Sequence, residues 1–159
     1  MKKQQYISVK GDLKTQNELF SLMENLFPIC RSITGNGLRK TLKILKKQID
    51  LKIIEVRTGT KVFDWKIPYE WNIKDAYVKN LKGERIIDFK KSNINVLNYS
   101  IPINKKISQK ELKRHLHTLP DKPNSVPYVT SYYKKNWGFC LAHNQLQLIN
   151  DDYYDVKID

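Results

Sequence analysis

The stretch from Val126 to Gln145 places the tightest limits on how this chain folds. It reads Val-Pro-Tyr-Val-Thr-Ser-Tyr-Tyr-Lys-Lys-Asn-Trp-Gly-Phe-Cys-Leu-Ala-His-Asn-Gln. It holds Tyr128, Tyr132, Tyr133, Trp137 and Phe139, together with Cys140 and His143. Tyr128–Tyr133 and Trp137–Ala142 are rich in the aromatic and β-branched residues that suit a pleated, half-buried surface. With Lys134-Lys-Asn as a polar turn, the pattern predicts an aromatic hairpin. Gly138, between two large rings, marks a bulge or the close approach of another backbone. So aromatic a hairpin must pack against something, and the rest of the chain is read as its support.

At 159 residues the chain suffices for one domain with a sizeable core. No apolar run has the length of a membrane span, and Met1-Lys-Lys-Gln-Gln-Tyr lacks the apolar segment of a signal peptide. The expected setting is the cytoplasm, with no membrane partner and with Cys30 and Cys140 as free, buried thiols. The net charge of +13 raises nucleic-acid binding. Only five of the 29 basic residues are arginine, the side chain suited to bidentate phosphate recognition, and the lysines are dispersed. A solvated lysine-rich surface is the expectation, and nucleic acid is not an expected partner.

Residues 1–11 read as a frayed start. Asp12 caps a predicted helix from Leu13 to Phe27, with Leu19, Leu22, Met23, Leu26 and Phe27 on its apolar face. Asn36 is expected to cap a second helix, from Gly37 to Ile49, packed as a pair with the first. From Leu51 the pattern turns to strands: Leu51–Val56, Lys61–Ile67, Trp71–Asn80, Arg85–Phe89 and Ile94–Tyr99. Ser108 and Glu111 form a predicted capping box that opens a short helix over 109–117. Pro120, Pro123 and Pro127 stiffen the loop into the aromatic hairpin, and Tyr153–Ile158 is a last strand. The fold class expected is α+β: a helix pair, then a small, mostly antiparallel, sandwich- or jelly-roll-like β module with one short helix.

Residues able to carry chemistry are few. His115 and His117 lie two apart, about 200° around a helix, and so cannot share a metal there. Cys140 and His143 could form a nucleophile pair only within hydrogen-bond reach of each other; core residues are the simpler reading. Asp64, flanked by Phe63 and Trp65, is either a tuned acid or the solvent-facing member of an alternating strand. Arg31-Ser-Ile-Thr-Gly is an anion-loop candidate or a plain helix link. Arg31, Asp64, Trp65, Trp137, Cys140 and His143 are retained as possible pocket residues, with no catalytic and no metal-ligating residue assigned.

Four segments carry a family resemblance: Leu26-Phe-Pro-Ile-Cys-Arg-Ser-Ile-Thr-Gly-Asn-Gly-Leu-Arg, Thr58-Gly-Thr-Lys-Val-Phe-Asp-Trp, Pro68-Tyr-Glu-Trp-Asn-Ile, and the Tyr128–Gln145 stretch. In this order they resemble the N-terminal part of bacterial zinc aminopeptidase-like proteins found among surface-polysaccharide biosynthesis genes. The resemblance covers about Leu19 to Asp159. It implies that residues 1–57 hold the helices and first strand of a peptidase-like α/β domain. It further implies that 58–147 form an inserted β-rich module and that 148–159 return toward the catalytic core. The family's metal-binding segment follows the strand that here is Tyr153–Asp159, so no zinc ligand can be carried over. The expectation is a fragment that binds no cofactor itself, with zinc held in the full-length family. Its partner is the missing catalytic core or a second copy. The alternative is a non-catalytic module that binds carbohydrate or a partner domain.

Overall fold

The computed structural model describes residues 12–159. The expected frayed start, residues 1–11, lies outside the described residues.

Helix α1 spans Leu13–Leu26 and opens as its sequence dictates: the Asp12 carboxylate accepts the Thr15 backbone N–H at 2.6 Å. Helix α2 spans Asn36–Leu45, but its cap is Gly35, at φ 94°, rather than Asn36. Asn36 is already the first helical residue, and its N–H is taken by the side chain of Asn72 at 2.7 Å. A Cβ at Gly35 would meet the Trp71 carbonyl oxygen at 2.3 Å, so only glycine fits. The two helices do not close on each other. A groove of about 830 Å3 separates them, with Leu22 and Asn25 on one wall and Lys40 and Ile44 on the other.

The centre of the molecule is a four-stranded antiparallel sheet. Its strands are β3 (Ala76–Lys79), β4 (Arg85–Asp88), β5 (Ile103–Ser108) and β8 (Tyr153–Ile158), in the order β4-β3-β8-β5. The fold is α+β, and the β module is built on this one sheet with two short ladders beside it. Strand β8 alternates as a half-buried strand should, with Tyr154, Val156 and Ile158 turned inward. Val156 lies opposite Val78, and Ile158 opposite both Ala76 and Ile103. Tyr154 tolerates near-complete burial because its hydroxyl oxygen accepts the Asp151 N–H at 2.6 Å. Strand β8, between β3 and β5, thus joins the two sides of the module's sheet.

Helix α3 spans Gln109–Lys113, and Ser108 caps it by accepting the Glu111 N–H at 3.3 Å. It is shorter than expected. Glu111 turns toward His115, and the chain becomes β6 at Leu116–His117, so the helical spacing assumed for the two histidines does not apply.

The aromatic hairpin is not formed. Strand β7, Phe139–Cys140, runs parallel to β6, and Phe139 also bridges Val96. Phe139, Cys140 and Leu141 are all buried, a continuous run that needs cover on both faces and finds it in the core. The Tyr128–Tyr133 stretch touches the sheet region through an Asn98–Thr130 bridge, then turns at Ser131, whose carbonyl accepts the Lys134 N–H. That turn directs the chain away from strand pairing.

Strand pairing is also missing from Leu51–Val56, and Ile94–Tyr99 is replaced by a 3-10 turn at Asn93–Asn95 followed by buried Val96 and Leu97. Strands β1 (Lys61–Val62) and β2 (Trp65–Lys66) make a two-residue hairpin, with Phe63 at its tip. Among the described residues no helix is long and apolar enough to cross a membrane.

Candidate functional site

The loop after α1 and the segment around Trp71 are held together by one threonine. The Thr34 hydroxyl lies 2.5 Å from the Tyr99 hydroxyl and accepts the Trp71 N–H at 3.3 Å. The Trp71 indole N–H donates to the Ser100 carbonyl at 3.0 Å, and the ring stacks on Tyr99 with centroids 5.9 Å apart. Tyr132 meets Tyr99 edge-on at 5.1 Å. Tyr99 sits at φ 65°, a conformation a bulky side chain adopts only when its surroundings fix it. Beside this cluster is a recess of about 270 Å3, whose lining includes Cys30, Arg31, Trp71, Asn98 and Tyr128. Its lining offers the rings of Phe27, Trp71 and Tyr128, one cation in Arg31, and the two amides of Asn93 and Asn98.

Of the residues singled out from sequence, only Arg31 reaches this recess. Its guanidinium also donates to the Leu26 carbonyl at 2.7 Å, closing the C-terminal end of α1. Asp64 is exposed at the β1–β2 turn rather than on an alternating strand. Trp65 stands beside it, 43% exposed, on a strand with no buried residue, and so is not a core anchor. Trp137 lies elsewhere: its ring stacks on His115, centroids 3.7 Å apart and 15° from parallel. His115 Nδ1 donates to the Trp137 carbonyl at 3.0 Å, and Nε2 faces Glu111 at 3.3 Å.

Cys140 and His143 do not form a pair. His143 Nδ1 is bonded to the Thr118 hydroxyl at 3.0 Å. Cys140 is fully buried in β7, and burial raises its thiol pKa to about 11, far from the range of a nucleophile. Burial and neighbouring His115 lower the pKa of His117, whose Nε2 has no hydrogen-bond partner. Gly138 is wedged against these residues: a Cβ there would meet the His115 carbonyl oxygen at 2.7 Å and His117 Nε2 at 3.2 Å. The close backbone approach expected at Gly138 is therefore real.

Among the described residues no group of three or more His, Cys, Asp or Glu side chains is placed to hold a metal ion. The residues present do not fit zinc: His115 is held against Trp137 and Glu111, His143 against Thr118, and Cys140 is enclosed in the core.

Three of the arginines are committed to ion pairs. Arg39 is paired with Glu70, Arg85 with Asp75 and Asp88, and Arg114 with Glu111. The Arg39 guanidinium holds the Glu70 carboxyl below its ordinary range. These pairings leave a surface of lysines rather than a guanidinium array.

Sequence reasoning missed Thr34, Trp71 and Tyr99 as members of one cluster. Trp71 lies in the Pro68-Tyr-Glu-Trp-Asn-Ile motif, but nothing local signals its stacking on a ring 28 positions away, between residues 71 and 99.

Comparison with known proteins agrees with this frame. The chain is 55% identical over 151 residues to a Clostridium acetobutylicum protein named "Putative polysaccharide biosynthesis protein with aminopeptidase-like domain", covering 95% of this chain and 35% of that protein. It superposes on the crystal structure of a "putative peptidase" from Clostridium acetobutylicum with a TM-score of 0.88 and 57% identity, over 92% of this chain and 35% of the other. The chain thus spans about a third of the length of the relatives it matches. A family model described as "Domain of unknown function (DUF2172)" matches residues 70–159, the whole of the central sheet, and the chain belongs to that family.

Proposed function

We propose that this chain is the N-terminal part of a zinc-dependent, aminopeptidase-like hydrolase of surface-polysaccharide biosynthesis. In this reading it supplies a non-catalytic module, and the metal ligands belong to the polypeptide it does not span. The observation that carries the reading is the coverage: a match over 95% of this chain accounts for only 35% of the relative. The local chemistry supports it, since His115, His143 and Cys140 are each engaged in packing or hydrogen bonds. A co-catalytic zinc centre needs several deprotonated ligands on a rigid frame. The test has two arms: zinc content and hydrolysis of aminoacyl-p-nitroanilides, measured on this chain alone and on a chimera in which it replaces the matching third of the Clostridium acetobutylicum relative. Zinc and turnover are expected in the chimera only. Stoichiometric zinc in the isolated chain would overturn the proposal.

A second reading, a module that binds carbohydrate, is favoured by the recess beside Trp71, Tyr128 and Arg31. Aromatic faces with a few polar groups suit sugar rings. Tryptophan fluorescence during titration with oligosaccharides tests it, Trp71→Ala being the control.

A further inference from the structure

The recess beside Trp71 holds an asparagine whose side-chain amide no protein group engages. Asn98 is only 7% exposed. Its backbone is fixed on both sides: the N–H donates to the Val129 carbonyl at 2.9 Å, and the carbonyl accepts the Ser131 N–H at 2.9 Å. Among the described residues, its side-chain amide makes no hydrogen bond. The nearby Asn95, by contrast, donates its amide to the Cys140 carbonyl at 2.8 Å. Buried polar side chains are as a rule hydrogen-bonded, so this nearly enclosed amide is an exception. It is not sealed in the core as the Tyr132 hydroxyl is; it opens on the recess. Arg31 stands at the same place. Its guanidinium donates to the Leu26 carbonyl and, among the described residues, forms no ion pair, unlike Arg39, Arg85 and Arg114. The lining contains no aspartate or glutamate, so Arg31 is its one charge. The Trp71 indole N–H is engaged by the Ser100 carbonyl, which leaves that side chain only its ring to offer. Tyr128, also in the lining, is 70% exposed.

A side-chain amide both donates and accepts, which matches the neighbouring hydroxyls of a sugar, and aromatic rings suit the sugar's C–H face. An unpaired guanidinium with no acid beside it selects a carboxylate, which it holds through the donors that Leu26 leaves free. The volume of about 270 Å3 lies just under the roughly 300–1,000 Å3 of pockets that enclose a drug-sized molecule, so the recess fits a single ring-sized unit. We propose that it binds one uronic acid unit of an acidic polysaccharide. Arg31 takes the carboxylate, the Asn98 amide takes ring hydroxyls, and Trp71 and Tyr128 lie against the sugar face. This rests on the carbohydrate reading above and adds the charge of the ligand to it. The net charge of +13 favours the approach of such a polyanion, and Arg31 with Asn98 selects the unit that is held.

Isothermal titration calorimetry of this chain with two probes tests the proposal. One is a β-1,4-linked tetrasaccharide of glucuronic acid; the other is cellotetraose, the same chain with a hydroxymethyl group in place of each carboxylate. The acidic probe is expected to bind about tenfold more tightly, as one charge-assisted pair supplies. Arg31→Gln removes that preference and leaves cellotetraose binding unchanged. Lys106→Gln, exposed on β5 and outside the lining, changes neither. Asn98→Ala weakens both probes, and a melting temperature equal to that of the unmodified chain shows that contact rather than the fold was lost. If Asn98→Ala does not fold, Arg31→Gln decides alone. Equal affinity for the two probes overturns the proposal and leaves the carbohydrate reading standing. Acidic binding that survives Arg31→Gln belongs to the dispersed lysines and also overturns the proposal. Failure of both probes to bind refutes the carbohydrate reading and the proposal together.

Discussion

The imidazole of His115 lies flat on the indole of Trp137, ring centroids 3.7 Å apart, and donates from Nδ1 to that residue's own carbonyl. One contact therefore fixes both the ring and the backbone of Trp137. The next residue, Gly138, is pressed against the His115 carbonyl, and Phe139 donates its N–H to that same oxygen at 2.9 Å. The parallel pairing of β6 and β7 is anchored at this point.

Trp137→Ala is expected to cost about 3 kcal/mol, at the lower end for a large aromatic because the ring is half-buried. A domain of this size has roughly 5–15 kcal/mol in total, so the loss is a large fraction of its stability. Thermal unfolding beside the unmodified chain measures it. A transition shifted by less than a few degrees would mean that the stack does not support the core.

His117 makes stability depend on pH. Burial and His115 lower its pKa in the folded state below the ordinary 6.5. Above 6.5 both states hold a neutral ring and the residue contributes no slope. Below that value the unfolded chain takes up a proton that the folded chain does not, so stability falls as pH drops, until the folded-state value is reached. Melting temperatures between pH 8 and pH 5 should decline through the acid half of that range, and His117→Gln should flatten the decline.

Cys140 should resist thiol reagents in the folded protein. Its thiol is fully buried and titrates near 11, leaving almost no thiolate at neutral pH. Burial also raises the pKa of Cys30, but that side chain is only partly enclosed. Modification by a chromogenic disulfide is expected at Cys30 first, with Cys140 reacting only when denaturant is added. Equal rates for the two thiols would contradict the core position of β7.

Arg85 clamps the start of the sheet by donating to Asp75 at 2.8 and 3.1 Å and to Asp88 at 3.1 Å, with its guanidinium 4.2 Å from the centre of the Tyr77 ring. Arg85 holds the Asp75 carboxyl below its ordinary 3.8, so the pair stabilises the fold above that pH and is lost as acid carries the solution through the lowered value. Asp75→Asn should lower the melting temperature at pH 7 by a few degrees and narrow its distance from the unmodified chain near pH 3. An unchanged melting temperature at pH 7 would show that the clamp contributes nothing.

The features with local signals were legible in the order of the amino acids. Asp12 and Ser108 cap helices because their oxygens reach an N–H three residues ahead, a rule independent of the rest of the chain. The alternation of Tyr153–Ile158 marks one inward face, and Gly138 marks a close backbone approach. The four quoted motifs carried the family. Tertiary structure decided which segments pair. Trp137–Ala142 and Tyr128–Tyr133 look alike in strand propensity, yet burial of Phe139, Cys140 and Leu141 drew the first segment into the core beside Leu116 and Val96. Partner choice is a long-range competition for buried area, which propensity does not encode. The candidate recess was hidden for the same reason: Thr34, Trp71 and Tyr99 meet through a shared hydroxyl and a ring stack between distant positions. Leu51–Val56 shows the converse. Its composition specifies a strand, but a strand exists only with a neighbour to receive its hydrogen bonds, and none of the described residues supplies one.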